Sequence, residues 1–130
     1  MIVLDASVLI GYLDGDDAHH AAAEALLAAA VDDDLAVNPL TLGEVLVVPA
    51  RDGRLDAVLD VLDDLEVAQL ALPADAAPRL AQLRVATGLR MPDCCVLLNA
   101  AVAGATVASF DDRLLEAAAG RGLPVAGGTC

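Results

Sequence analysis

Residues 2–10 read Ile2-Val3-Leu4-Asp5-Ala6-Ser7-Val8-Leu9-Ile10, an apolar run with a single carboxylate at its centre. Ile2 to Leu4 is a β-branched and aliphatic triplet of the kind that forms a buried strand. From Ala6 to Leu13 apolar residues recur at helical spacing, so the chain turns from strand to helix at Asp5. A charge at such a place is costly unless it is paired or holds a metal ion.

The pattern repeats along the chain. A second helix is expected from Asp17 to Val31, with acid at its start where the helix dipole favours it. Leu35-Ala36-Val37 is the next strand, stopped by Asn38-Pro39. Thr41 is the expected cap of a helix carrying Glu44 among Leu42, Val45, Leu46 and Val48, punctuated by Pro49 and Gly53. A helix from Leu55 to Leu65, a weaker strand from Val67 to Leu72 and a helix from Ala74 to Thr87 follow, the last stopped by Gly88. Pro92 is expected at the first position of a helix running to Ala103, where Gly104 ends it. Thr106-Val107-Ala108 is a strand, Ser109-Phe110-Asp111-Asp112 leads into a helix to Ala119, and Val125 marks a last short strand. Short buried strands alternating with helices predict an α/β sandwich on a mostly parallel sheet, in one domain spanning residues 1–130.

The composition sets limits on function. The chain has 130 residues, 58% of them hydrophobic and 2% aromatic, with a formal net charge of −13. A mean hydropathy of +0.64 excludes intrinsic disorder. The apolar runs are too short for the roughly 20 residues of a membrane span, and no basic segment precedes the first of them. An odd count of three cysteines without framework spacing suits free thiols in a reducing, cytoplasmic setting. The acidic balance argues against non-specific polyanion binding, which needs a basic patch. Any action on nucleic acid must work through a few placed arginines and bound cations, and a basic partner protein would be attracted to the surface as a whole.

Most of the 20 carboxylates fall on solvent-facing positions. Four do not. Asp5 and Asp111 each follow a strand, Asp93 lies in the first turn of a helix after Pro92, and Glu44 sits on an otherwise apolar helix face. Carboxyl ends of parallel strands and helix N-termini meet at the same edge of an α/β sheet. Four carboxylates converging there cannot all ionise without a counter-charge. Mg²⁺ or Mn²⁺ prefers such an oxygen-only donor set, and two such ions about 3.5–4 Å apart can clamp an in-line displacement at phosphorus. Cys94 and Cys95 read as small core residues, and His19 and His20 as solvated residues opening the second helix.

At these positions the chain resembles the PIN domain family, and within it the VapC toxins of bacterial VapBC toxin–antitoxin pairs. The resemblance rests on residues 2–10, on Thr41-Leu42-Gly43-Glu44-Val45-Leu46, on Met91-Pro92-Asp93, on Ser109-Phe110-Asp111-Asp112-Arg113-Leu114 and on Gly122-Leu123-Pro124-Val125. It implies a three-layer α/β/α sandwich and a Mg²⁺- or Mn²⁺-dependent endoribonuclease. Asp5 and Asp93 would be the principal metal ligands, with Glu44 and Asp111 completing the quartet. Asp112 competes with Asp111, but the family pattern of a hydroxyl residue, any residue, then Asp aligns Ser109 with Asp111. Ser7 and Ser109 would orient the carboxylates. Arg90 and Arg113, nearest to these ligands in sequence, are the candidates for flanking phosphates of a transfer or ribosomal RNA.

The resemblance also implies a small VapB-like antitoxin and a homodimer, with no membrane association. Two other functions have partial sequence support. A haloacid-dehalogenase-type phosphatase needs an acid two residues after the strand-end Asp, and position 7 is Ser. A catalytically inactive PIN-like scaffold would have no use for all four acids.

Overall fold

A computed structural model describes residues 1–128, so Cys130, the third of the thiols, lies outside the described residues. Five strands form one sheet: β1 (Ile2–Leu4), β2 (Leu35–Val37), β3 (Val67–Gln69), β4 (Thr106–Ser109) and β5 (Val125–Gly127). Their order is β3-β2-β1-β4-β5 and every pair is parallel. The helices are α1 (Ala6–Leu13), α2 (His20–Ala29), α3 (Pro39–Arg51), α4 (Leu55–Asp64), α5 (Ala76–Thr87), α6 (Met91–Ala103) and α7 (Asp112–Gly120).

The alternation of side chains along β1 explains the layering. Ile2 and Leu4 enter a core with Val8, Leu9, Leu27, Leu42, Val45, Val58 and Leu62, from α1 to α4. Val3 points the other way, into a core with Leu83, Leu97, Leu98, Val107 and Leu114, from α5 to α7. Each face of a parallel sheet needs its own cover, so a three-layer sandwich follows.

Several boundaries differ from the expectations. Asn38, not Thr41, caps α3: its side chain accepts from the Thr41 N–H at 2.8 Å, and Pro39 takes the first turn, where its missing donor costs nothing. Pro49 does not stop α3, which runs on to Arg51, because a proline this close to the end forfeits little of the helical ladder. α2 starts at His20, later than Asp17, because Asp14 and Asp17 spend their carboxylates on turns, accepting from the Asp16 N–H at 2.9 Å and the His19 N–H at 2.8 Å. α6 begins at Met91, which moves Pro92 to its second position, and β3 ends at Gln69. Gly88 and Gly104 close α5 and α6 in the left-handed conformation, with φ of 70° and 63°.

His20 ties α2 to α1. Its Nδ1 lies 2.8 Å from the Gly11 carbonyl and its Nε2 2.7 Å from Glu24 Oε1. Two acceptors call for two ring protons, and the Gly11 carbonyl, helped by Glu24, raises the imidazole above its ordinary value. No single helix among the described residues is long and apolar enough to cross a membrane.

Candidate active site

The strand order runs outward in both directions from the boundary between β1 and β4. In open α/β sheets this switch point, at the carboxyl ends of the strands, is where ligands bind. Asp5 follows β1 directly and Ser109 ends β4, and the register that pairs Leu4 with Ala108 sets these two residues side by side.

Asp5 is 8% exposed. Its Oδ2 accepts from Ser7 Oγ at 2.8 Å and from Ser109 Oγ at 2.7 Å. Each hydroxyl has one proton, so both protons are committed to this carboxylate. The lone pairs work in turn: Ser7 Oγ accepts from the Phe110 N–H at 3.0 Å, and Ser109 Oγ from the Asp111 N–H at 2.9 Å. The β4–α7 turn is thereby stapled to the start of α1 through one buried carboxylate. His19 stacks on Phe110 at 4.8 Å between ring centroids, buttressing the same turn from α2. The sequence predicts a solvated His19, because an aromatic partner about 90 positions away leaves no local signal.

Asp111 caps α7, its Oδ1 accepting from the Arg113 N–H at 3.0 Å. Asp112 is the first residue of α7 and is exposed. Asp93 occupies the first turn of α6, half-buried, with Arg90 just before the helix. Burial pushes the Asp93 carboxyl above its usual range, and the charges of Asp5, Asp111 and Glu44 push it further, against Arg90. Asp5 after β1, Glu44 on α3 and Asp111 at the start of α7 thus act electrostatically on Asp93 at the start of α6.

Glu44 projects from the exposed side of α3 at the rim of a groove of about 270 Å³ between α1, α3 and α4. Ile10, Leu13, Val45, Val48, Pro49 and Val58 make the groove apolar. Cys94 and Cys95 are buried free thiols, both raised mainly by burial, and behave as core residues. Asn38, one strand over from Asp5 by register, is fully buried, its Nδ2 unpartnered among the described residues. In the sequence it shows only as a strand stop.

Among the described residues no three Asp, Glu, His or Cys side chains are arranged to close around one ion. The donor chemistry nevertheless fits a hard divalent cation. The set is all oxygen, and its mutual repulsion, visible at Asp93, is of the kind that a cation relieves.

Residues 2–120 match the family model described as PIN domain. No curated protein matches the sequence. Among solved structures, the chain is similar to VapC20 of Mycobacterium tuberculosis, a sarcin-ricin loop cleaving toxin, with a TM-score of 0.75 and 18% identity over 90% of this chain and 95% of that one. FitAcB of Neisseria gonorrhoeae superposes with a TM-score of 0.71 and 20% identity, covering 96% of each chain. VapBC2 of Rickettsia felis, solved on a DNA fragment from its promoter, gives a TM-score of 0.73 and 12% identity over 98% of each. At these identities the likeness is one of fold.

Proposed function

Because the chain belongs to the PIN domain family, we propose that it is a metal-dependent endoribonuclease, the toxin of a VapBC-like pair. The observation that carries this reading is the set of acids acting on Asp93 at the sheet's switch point. Asp5 and Asp93 are the principal ligands of Mg²⁺ or Mn²⁺, with Glu44 and Asp111 beside them. When bound, the ion supplies Lewis acidity and charge neutralisation for attack of water at an RNA phosphorus.

The rest is the work of the chain's own groups. Ser7 and Ser109 hold Asp5 Oδ2 in one orientation, a support of the kind that typically changes metal affinity or activity 10–100-fold when removed. Asp93 is presented from a helix N-terminus, where the amide dipoles favour its anion once a counter-charge is present. Arg90 and Arg113 flank the acids and are proposed to hold neighbouring phosphates. No side-chain nucleophile is needed, so the products carry a 5′-phosphate and a 3′-hydroxyl.

The solved relatives include toxin–antitoxin complexes. We assign this chain a VapB-like antitoxin whose basic or amphipathic tail covers the apolar groove beside Glu44, drawn by the net charge of −13. A second copy of the chain is the other proposed partner, for which exposed apolar residues such as Val85, 88% exposed, leave room. One observation favours a non-catalytic binding module instead: among the described residues, no three acids stand in ligating positions.

Sequencing of 5′-phosphate ends in total RNA separates the two. RNA is incubated with the purified protein and Mg²⁺ or Mn²⁺, beside EDTA and Asp93→Asn controls. Discrete new ends that vanish in both controls are expected. Their absence, with protein free of antitoxin and able to bind Mn²⁺, gives the non-catalytic reading.

A further inference from the structure

The charges of this chain are segregated. Before position 79 there are two arginines against sixteen carboxylates; from Arg79 onward there are five against four, and two of those four are Asp93 and Asp111. The fold turns this split in sequence into a split in space. Helices α1 to α4 cover one face of the sheet, and α5 to α7 cover the other. The outer layer beyond Arg79 therefore carries the basic residues, and the opposite layer carries the acid.

Two hollows lie on the basic layer. One, of about 380 Å³, runs between the end of α5 and α7 and is lined by Thr87, Leu89, Arg113, Glu116 and Arg121, among others. The second, of about 200 Å³, is lined by Arg79, Gln82 and again Arg121. Arg121 thus joins them. The path starts beside the acids, since the Arg113 N–H donates to Asp111 Oδ1 at 3.0 Å and Leu89 immediately precedes Arg90. Arg84 does not line either hollow but fixes Leu89, which does, its Nη1 donating to the Leu89 carbonyl at 2.6 Å. Arg79 makes an exposed pair with Asp75 at 3.5 Å, of the kind that contributes little and exchanges easily. Ala86, Ala117 and Gly120 leave the floor open to close approach by a backbone.

We propose that this α5–α7 groove is a track for the phosphate backbone of the RNA strand flanking the scissile bond. Arg113 lies nearest the acids, Arg121 in the middle and Arg79 outermost. The assignment rests on the nuclease reading for its substrate. The residues lining the two hollows include no aromatic platform for bases, and arginines that hold phosphates position a strand without reading its sequence. The acidic layer repels the same polyanion and confines it to this side.

The test uses the full-length Asp93→Asn protein and a labelled single-stranded RNA, with affinity followed against salt. Arg113→Ala, Arg121→Ala and Arg79→Ala are each placed in that background, beside Arg51→Ala from the acidic half. Each of the first three should weaken binding several-fold, equally across RNA sequences. Each should also flatten the slope of log affinity against log salt by about 0.7, the value for one single-strand phosphate contact. Arg51→Ala should change neither. The proposal is overturned if Arg121→Ala keeps the parent's affinity and slope, if Arg51→Ala falls as far, or if poly-glutamate outcompetes RNA at the same arginines. Cleavage measured in parallel on proteins with Asp93 intact separates the two readings. RNA cut normally by Arg121→Ala removes the track and leaves the nuclease; an arginine-dependent slope without metal-dependent cleavage removes the nuclease and leaves the track.

Discussion

Asp5 shows how a buried charge is made tolerable. Two serine hydroxyls give both their protons to one of its oxygens, and their lone pairs take amides from the neighbouring turn. Ser109→Ala removes one of these donors at a position with no access to water. A hydrogen bond to a charged group is worth about 1.5–3 kcal/mol, so chemical denaturation should report a loss of that order. RNA cleavage should drop by about 10–100-fold, as for other residues that support metal ligands. Asp93 is the opposite case, a carboxylate whose surroundings oppose its charge. Its folded value is raised above its unfolded one, so the metal-free folded protein binds the proton more tightly than the unfolded chain does. This contribution to stability is present at low pH and is lost as pH rises through the interval between the two values. Thermal unfolding of metal-free protein should show that loss, and Asp93→Asn should abolish it.

At the level of elements, three of the acids were readable because each stands where strand or helix grammar changes, while Glu44, inside α3, shows only as a charge on an otherwise apolar helix face. Asp5 breaks an apolar run, Asp93 follows a proline at a helix start, and Asp111 follows a strand. The caps were harder. Asn38 and Thr41 are both good cap residues three positions apart, and only the fold shows that the Asn38 side chain receives the Thr41 N–H. The serine staple and the α5–α7 groove join segments far apart in sequence, and no periodicity carries that information. β5 adds a constraint that sequence does not announce. Gly127 has φ of +103°, and a Cβ there would run into the Ser109 carbonyl. Gly127→Ala should therefore displace Ser109, with activity falling as in Ser109→Ala while stability suffers from the strained backbone as well. Cleavage and denaturation measured on both variants check this.

At the scale of the molecule, a parallel sheet covered on both faces brings four acids from distant segments to one edge and sorts the remaining charge by layer. On the proposed function, these four carboxylates repel one another in want of a divalent cation. Thermal unfolding of the parent and of Asp93→Asn, each titrated with Mn²⁺ from a metal-free start, tests it most directly. Without metal the variant should melt a few degrees above the parent, because one repelling charge is gone. With Mn²⁺ the parent should rise with concentration, as mass action requires of a ligand bound only by the folded state, while the variant should rise far less. A variant that starts below the parent, or that rises equally with Mn²⁺, would contradict the account.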